Sequence, residues 1–325
     1  LVNFSDYVLL YIISLSLPTL LIIIPLLANG DINLKPKMSF IKKPMAIDMA
    51  GVGLFGIFAS TTSIFSLNID RIMVEDAPNL GLTYTGIYTT CFYFGSLLFI
   101  PARTLNKISS VYIADAWKKK DIKTINDIYY KSSINLFIIG CLILIGVWAN
   151  IDNVFEILPE KFLPGKYVIL LIGLAFLTDM ISGTSLAIIA NSKEYKFNFY
   201  FRVLLVALLI INNIIFIPLY GINGAAIATL LSKFIFNLVK YLFIVYKFKL
   251  QPYNYKFILI IIITILSYFS TYYIPSIIHF IVDIIIRSII AGSVFVTLIL
   301  IFKLSDDIND VYRNFIGWIK NKIRD

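Results

Sequence analysis

Hydrophobic residues run in blocks of about twenty, separated by short polar segments, and this spacing predicts membrane-spanning helices. The blocks lie at 6–28, 46–70, 84–108, 132–150, 166–189, 199–218, 222–246, 256–274 and 279–302, nine in all. Each is long enough for a tilted helix, and none alternates with period two as a barrel strand would. The expected fold class is an all-α integral membrane protein, a polytopic bundle of about nine transmembrane helices. Beyond the last block, residues 306–325 place Ile308, Val311, Tyr312, Phe315, Trp318, Ile319 and Ile323 broadly on one side of a helix. This predicts an amphipathic helix lying on the inner membrane face, with a solvated, frayed tail as the alternative.

The connecting segments fix an expected orientation. Lysines and arginines cluster after the first, third, fifth, seventh and ninth blocks, so that 20 of the 28 basic residues fall on one side. By the positive-inside rule that side is cytoplasmic, the carboxyl terminus included. The opposite loops are short and carry turn formers: Ala77-Pro78-Asn79, Leu163-Pro164-Gly165 and Pro218-Leu219-Tyr220-Gly221. No loop is large enough for a separate extramembrane domain. The expected location is the plasma (inner) membrane, multi-pass.

Composition agrees. The chain is 59% hydrophobic and 14% charged, where a soluble domain carries about 25% charge. The net charge of +9 is distributed as lysines facing anionic headgroups, so membrane lipids and not nucleic acid are the expected contact. Cys91 and Cys141 lie in separate apolar blocks and read as small core residues. The only histidine, His279, stands at a block edge, so no histidine metal site or catalytic triad can be assembled. Ahead of the first block there is no basic n-region and no small-residue cleavage site, and the start at Leu1 reads as the middle of a longer protein.

Two blocks carry charge where lipid would reject it. In the third, Thr85, Thr89, Phe92, Ser96, Arg103, Lys107 and Ser110 share one helical face, with Pro101 expected to kink the helix and blur the phase beyond it. In the second, Gly53, Gly56, Ser60, Ser63 and Arg71 do the same. Two readings fit. The pair lines a wet, cationic cavity, or the small residues pack tightly while the charges snorkel to the interface. Arg103 and Lys107, one turn apart, would suit a pyrophosphate or sugar phosphate. Yet Arg103 lies about 28 Å along a straight helix from Tyr84, near the inner boundary. Asp70 points about a quarter turn off its stripe, toward a proton site or another helix contact.

Other intramembrane charges divide similarly. Asp179, the lone acid of the fifth block, has no base nearby in sequence; it is a proton site or a neutral structural acid. In the seventh block Thr229, Lys233, Asn237 and Lys240 form a stripe, with Lys233 a cavity candidate and Lys240 expected to snorkel. Asp283 and Arg287 read as an i,i+4 structural pair. No glycine-rich phosphate loop, paired catalytic carboxylates or metal-ligand cluster is visible, so neither an enzyme nor a cofactor is expected.

Several segments resemble the oligosaccharide-lipid flippases of the multidrug/oligosaccharidyl-lipid/polysaccharide exporter superfamily, the O-antigen and lipopolysaccharide exporters among them. They are Asn68-Ile-Asp-Arg-Ile-Met73, then Thr85-Gly-Ile-Tyr88 with Ile100-Pro-Ala-Arg103, then Phe162-Leu-Pro-Gly165 with Ala190-Asn-Ser-Lys-Glu-Tyr195. The most specific is Tyr220-Gly-Ile-Asn-Gly-Ala-Ala-Ile-Ala-Thr229. The resemblance implies that 1–44 hold the last helix of an absent amino-terminal lobe and a linker. Residues 45–250 would form a six-helix carboxy-terminal lobe and 251–303 two additional helices, with 304–325 the tail. It also implies alternating access: a polyprenyl-pyrophosphate-linked oligosaccharide enters a cationic cavity from the inner leaflet and leaves outward, its tail remaining in lipid. Arg71, Arg103, Lys107, Lys233, Ser60 and Ser96 would line that cavity, H+ or Na+ would couple the cycle, and polysaccharide assembly proteins would be partners. With half a cavity, the chain would not transport alone. A drug/cation antiporter of the same superfamily would want acids facing the cavity. A membrane glycan polymerase or transferase would want a large outer loop bearing catalytic acids or arginines.

Overall fold

The structure, a computed structural model, describes residues 4–29, 43–274 and 279–324, and every element among them is helical. The chain divides into two units, one through residue 54 and one from residue 55. The first holds α1 (Phe4–Ala28) and the opening turns of α2 (Lys43–Asp76). The second holds the rest of α2 and α3 (Gly81–Ser96), α4 (Ile100–Lys119), α5 (Ile122–Ala149), α6 (Ile151–Ile157) and α7 (Lys166–Ile181). It continues through α8 (Ser185–Ala190), α9 (Phe197–Phe248), α10 (Tyr255–Tyr272), α11 (Phe280–Ile301) and α12 (Asp306–Arg324).

Six helical segments among the described residues are long and apolar enough to cross a membrane: Val8–Ala28, Ile122–Ala149, Glu160–Ile181, Phe197–Phe248, Tyr255–Tyr272 and Phe280–Ile301. One accounts for two expected blocks. Extended straight, the 52 residues of α9 would reach about 78 Å, well beyond the roughly 45 Å of a bilayer with its headgroups. They do not run straight. Gly221 leaves the helical region at φ 58°, ψ −133°, just after Pro218, and the two arms fold back side by side, with Asn212 Nδ2 donating to Ser232 Oγ at 2.9 Å. The 84–108 block is likewise divided: a 3-10 turn at Leu97–Phe99 separates α3 from α4, with Pro101 in the first turn of α4. That block and the 46–70 block are helical but too interrupted or too polar to count among the six.

α7 is the hub of the second unit, packing against α3, α5 and α9, while α10 and α11 pair with one another and lie on α5. Its core residues Ile169, Ile172, Ala175 and Met180 are buried. The outer helices show the distribution expected in lipid. On α10, Ser267 and Thr271 are buried, whereas Ile258, Ile261, Ile265 and Leu266 face outward. Water would penalise such an apolar surface; lipid does not. The junction between α4 and α5 is capped on both sides. Lys120 terminates α4 at φ 58°, and Asp121 opens α5 by accepting from the Thr124 amide at 3.0 Å. That hydrogen bond, together with one from the Thr124 hydroxyl at 2.7 Å, holds the Asp121 carboxyl below its ordinary range.

Between α7 and α8 the helix is interrupted by Ser182-Gly183-Thr184. Thr184 anchors the break: its amide donates to Ser132 Oγ at 3.2 Å, and the two hydroxyls lie 3.0 Å apart. Gly183 has φ +50°, and a Cβ there would sit 2.5 Å from Ser133 Oγ and 2.8 Å from its amide nitrogen. Gly183→Ala is therefore expected to cost about 2–3 kcal/mol, from left-handed strain and overpacking together, read as a lower denaturation midpoint in detergent.

The expected Asp283–Arg287 pair is present, Nε to Oδ2 at 2.7 Å, and Arg287 also donates to the carbonyls of Thr271 and Ile274. It ties α11 to α10. α12 forms as a helix with Val311, Tyr312 and Phe315 exposed, and Asp307 meets Asn135 and Lys131 of α5.

Candidate functional site

Polar residues from α2, α4, α7, α8 and both arms of α9 converge on a cavity of about 430 Å3. Its wall is built around two carboxylates, each held differently.

Asp70, on α2, is 2% exposed. Its Oδ1 accepts from Asn213 Nδ2 at 2.8 Å; Oδ2 accepts from Thr229 Oγ1 at 2.6 Å and Tyr88 Oη at 3.1 Å. One side chain thus ties α2 to α3 and to both arms of α9. All three donors are neutral. The neighbouring Arg71 turns away, its guanidinium carbon 5.2 Å and 5.0 Å from the Phe92 and Tyr93 ring centroids, donating to Asn68 Oδ1 at 3.2 Å.

Asp179, on α7, has a base beside it, which corrects the expectation drawn from sequence. Lys233 Nζ lies 2.5 Å from Oδ2, and Asn237 Nδ2 donates to Oδ1 at 2.8 Å. The partner comes from the second arm of α9, 54 residues on, so no local pattern announces it. The same ammonium sits 3.7 Å from the Phe176 ring centroid. Lys233→Met is expected to cost about 2–3 kcal/mol, because Asp179 would keep its burial and lose its counter-charge. Adding Asp179→Asn should recover most of that loss, and a double-mutant cycle by denaturation reads the coupling directly.

Lys240 also departs from expectation. It does not snorkel: it is 2% exposed, with Nζ 3.3 Å from Ser185 Oγ and 4.4 Å from the Phe236 ring centroid. The reason is the α7–α8 break, which sets Ser185 against the second arm of α9.

Arg103 and Lys233 line the cavity, together with Arg202, one of the basic residues counted on the inner side after the fifth block, and Lys240. Arg103 is exposed and its guanidinium carbon is 5.8 Å from the Phe99 centroid. Ser96 donates to Tyr93 O at 2.9 Å within its own helix, and Lys107 is exposed and outside the lining. The 3-10 turn explains the separation of Ser96 from Arg103: at three residues per turn it rotates the later positions by about 60° relative to a continuous α-helix. The side chain of Ser60 lies outside the described residues. Asn213, which joins the site through Asp70, is a polar residue in the middle of an apolar block, a pattern that is itself a functional signal.

Among the described residues of the lining, four basic side chains stand against two carboxylates, one of them paired with Lys233, so the formal charge of the cavity is positive. Phe92, Phe99, Phe176 and Phe236 separate the charges, so fields within it are less screened than in water. A second, apolar cavity of about 590 Å3 lies among α5, α7, α9 and α10, with no charged residue among the described residues of its lining. Among the described residues no group of three His, Cys, Asp or Glu side chains is placed to hold a metal ion. A scan of protein-family models, a search of curated proteins and a search of solved structures each found no match to this chain.

Proposed function

We propose that this protein is a multi-pass membrane transporter that moves an anionic, polyprenyl-pyrophosphate-linked oligosaccharide between leaflets, in the manner of the polysaccharide exporters that its motifs resemble. On this reading the nine hydrophobic blocks each span the membrane and the basic loops and carboxyl terminus face the cytoplasm. The observation that carries the proposal is the cavity bearing Arg103, Arg202, Lys233 and Lys240 within a bundle of apolar helices. Basic residues at membrane depth are expensive unless a ligand or a partner stabilises them. Lys233 has its partner in Asp179; for Lys240, whose hydrogen bond among the described residues is to the neutral Ser185 hydroxyl, an anionic headgroup supplies that compensation while its prenyl tail stays in lipid.

Asp70 is the proposed coupling group for H+ or Na+. It joins four helical segments through neutral donors, so altering its charge would perturb all of these contacts at once. Asn213 Oδ1, buried without a hydrogen-bond partner among the described residues, would be presented to a cation if the amide rotated. An antiporter for organic cations is disfavoured by the same residues, since Asp179 is neutralised by Lys233 and such a cargo would meet net positive charge.

Native mass spectrometry of the protein purified from membranes that make lipid-linked glycans tests the proposal. A co-purifying prenyl-diphosphate oligosaccharide is expected. Tight binding of tetraphenylphosphonium with no anionic lipid-linked cargo would replace it with the antiporter reading.

A further inference from the structure

We propose that Lys240, Ser185 and Arg202 seat a phosphate group in this cavity, an inference that rests on the anionic cargo proposed above. Lys233 and Lys240, on the second arm of α9, stand two helical turns apart, yet their surroundings differ. Lys233 has its counter-charge in Asp179 at 2.5 Å. Lys240, 2% exposed, has one hydrogen bond among the described residues, to the neutral hydroxyl of Ser185 at 3.3 Å, and among those residues no carboxylate lies within 4.0 Å of it. Asp179 is not free to serve it, being engaged by Lys233 and Asn237.

A buried ammonium loses its hydration, which only charge or several acceptors restore. The Phe236 face, 4.4 Å away, returns only part of it. What completes the site is an anion with several acceptor oxygens. A phosphate accepts from the Lys240 ammonium and the Ser185 hydroxyl, and it suits the forked guanidinium of Arg202 on the same cavity wall. Ser185 is held in place because the turn preceding it is anchored through Thr184 to Ser132. In a prenyl-diphosphate cargo this places the charged end beside α8.

The test uses the full chain in detergent, titrated with farnesyl diphosphate, inorganic diphosphate, farnesol and phosphatidylglycerol. Wild type is expected to bind both diphosphates and not farnesol. Lys240→Gln should weaken both diphosphates about 30-fold, Lys240→Arg should retain most of the affinity, and Ser185→Ala should weaken them about threefold. Thermal melting serves as the folding check, and should Lys240→Gln not fold, the Ser185→Ala measurement decides. Diphosphate affinity unchanged in Lys240→Gln or, where that variant does not fold, in Ser185→Ala overturns the seat while leaving the cargo proposal intact. Absence of farnesyl diphosphate binding to wild type overturns the cargo proposal and the seat with it. Lys240-dependent binding of phosphatidylglycerol equal to that of farnesyl diphosphate supports the phosphate seat but assigns it to a membrane lipid headgroup.

Discussion

Asp70→Ala is expected to lower stability by about 4 kcal/mol, a large effect for a single truncation on the margin that holds most folds together. The carboxylate receives three hydrogen bonds, from Tyr88, Asn213 and Thr229. Removing it strands three donors away from water, each costing about 1–3 kcal/mol before relaxation. Asp70→Asn should lose less, because the amide oxygen still accepts while the amide nitrogen opposes one donor. Denaturation in detergent, followed by tryptophan fluorescence, separates the two variants. Equal stability of Asp70→Ala and wild type would show that the junction of α2, α3 and α9 is not held by this residue.

The second large effect is expected at the fold in α9. A Cβ at Gly224 would overlap the carbonyl oxygen of Phe216, a backbone atom that no rotamer change can move. Gly224→Ala must therefore open the turn at Pro218–Gly221, at a cost of more than about 4 kcal/mol. The consequence reaches the cavity, since Asn213 lies on one arm and Thr229, Lys233 and Lys240 on the other. Cysteines at Asn212 and Ser232, whose side chains meet at 2.9 Å in the parent, report the arm pairing by cross-linking. Efficient cross-linking in the parent and its loss in Gly224→Ala is the expected pair of results.

Much of the helical framework was legible in the sequence because length and hydropathy are local properties. Turn chemistry was legible too: Pro218 and Gly221 separate the two arms of α9 as their residue types require. The Asp283–Arg287 pair was legible because its members are one turn apart. The partners of Asp179 and Asp70 were not, because Lys233 and Thr229 come from 54 and 159 residues away, and helical phase reports only which face a residue occupies. Lys240 was misread for a related reason. Its distance from the block centre favoured snorkelling, and only the break at Ser182–Thr184, which brings Ser185 against it, shows that it is enclosed. The phase of the Ser96–Arg103 stripe failed where three residues wind as a 3-10 turn.

Site-specific photo-cross-linking in native membranes asks whether the cationic cavity receives the headgroup of a lipid-linked glycan, as proposed. A benzophenone amino acid at Asn106, in the cavity lining, is compared with one at Leu82, 74% exposed on α3. An adduct carrying the mass of a prenyl-diphosphate oligosaccharide is expected from position 106, and only phospholipid adducts from position 82. Phospholipid adducts alone from both positions would contradict it.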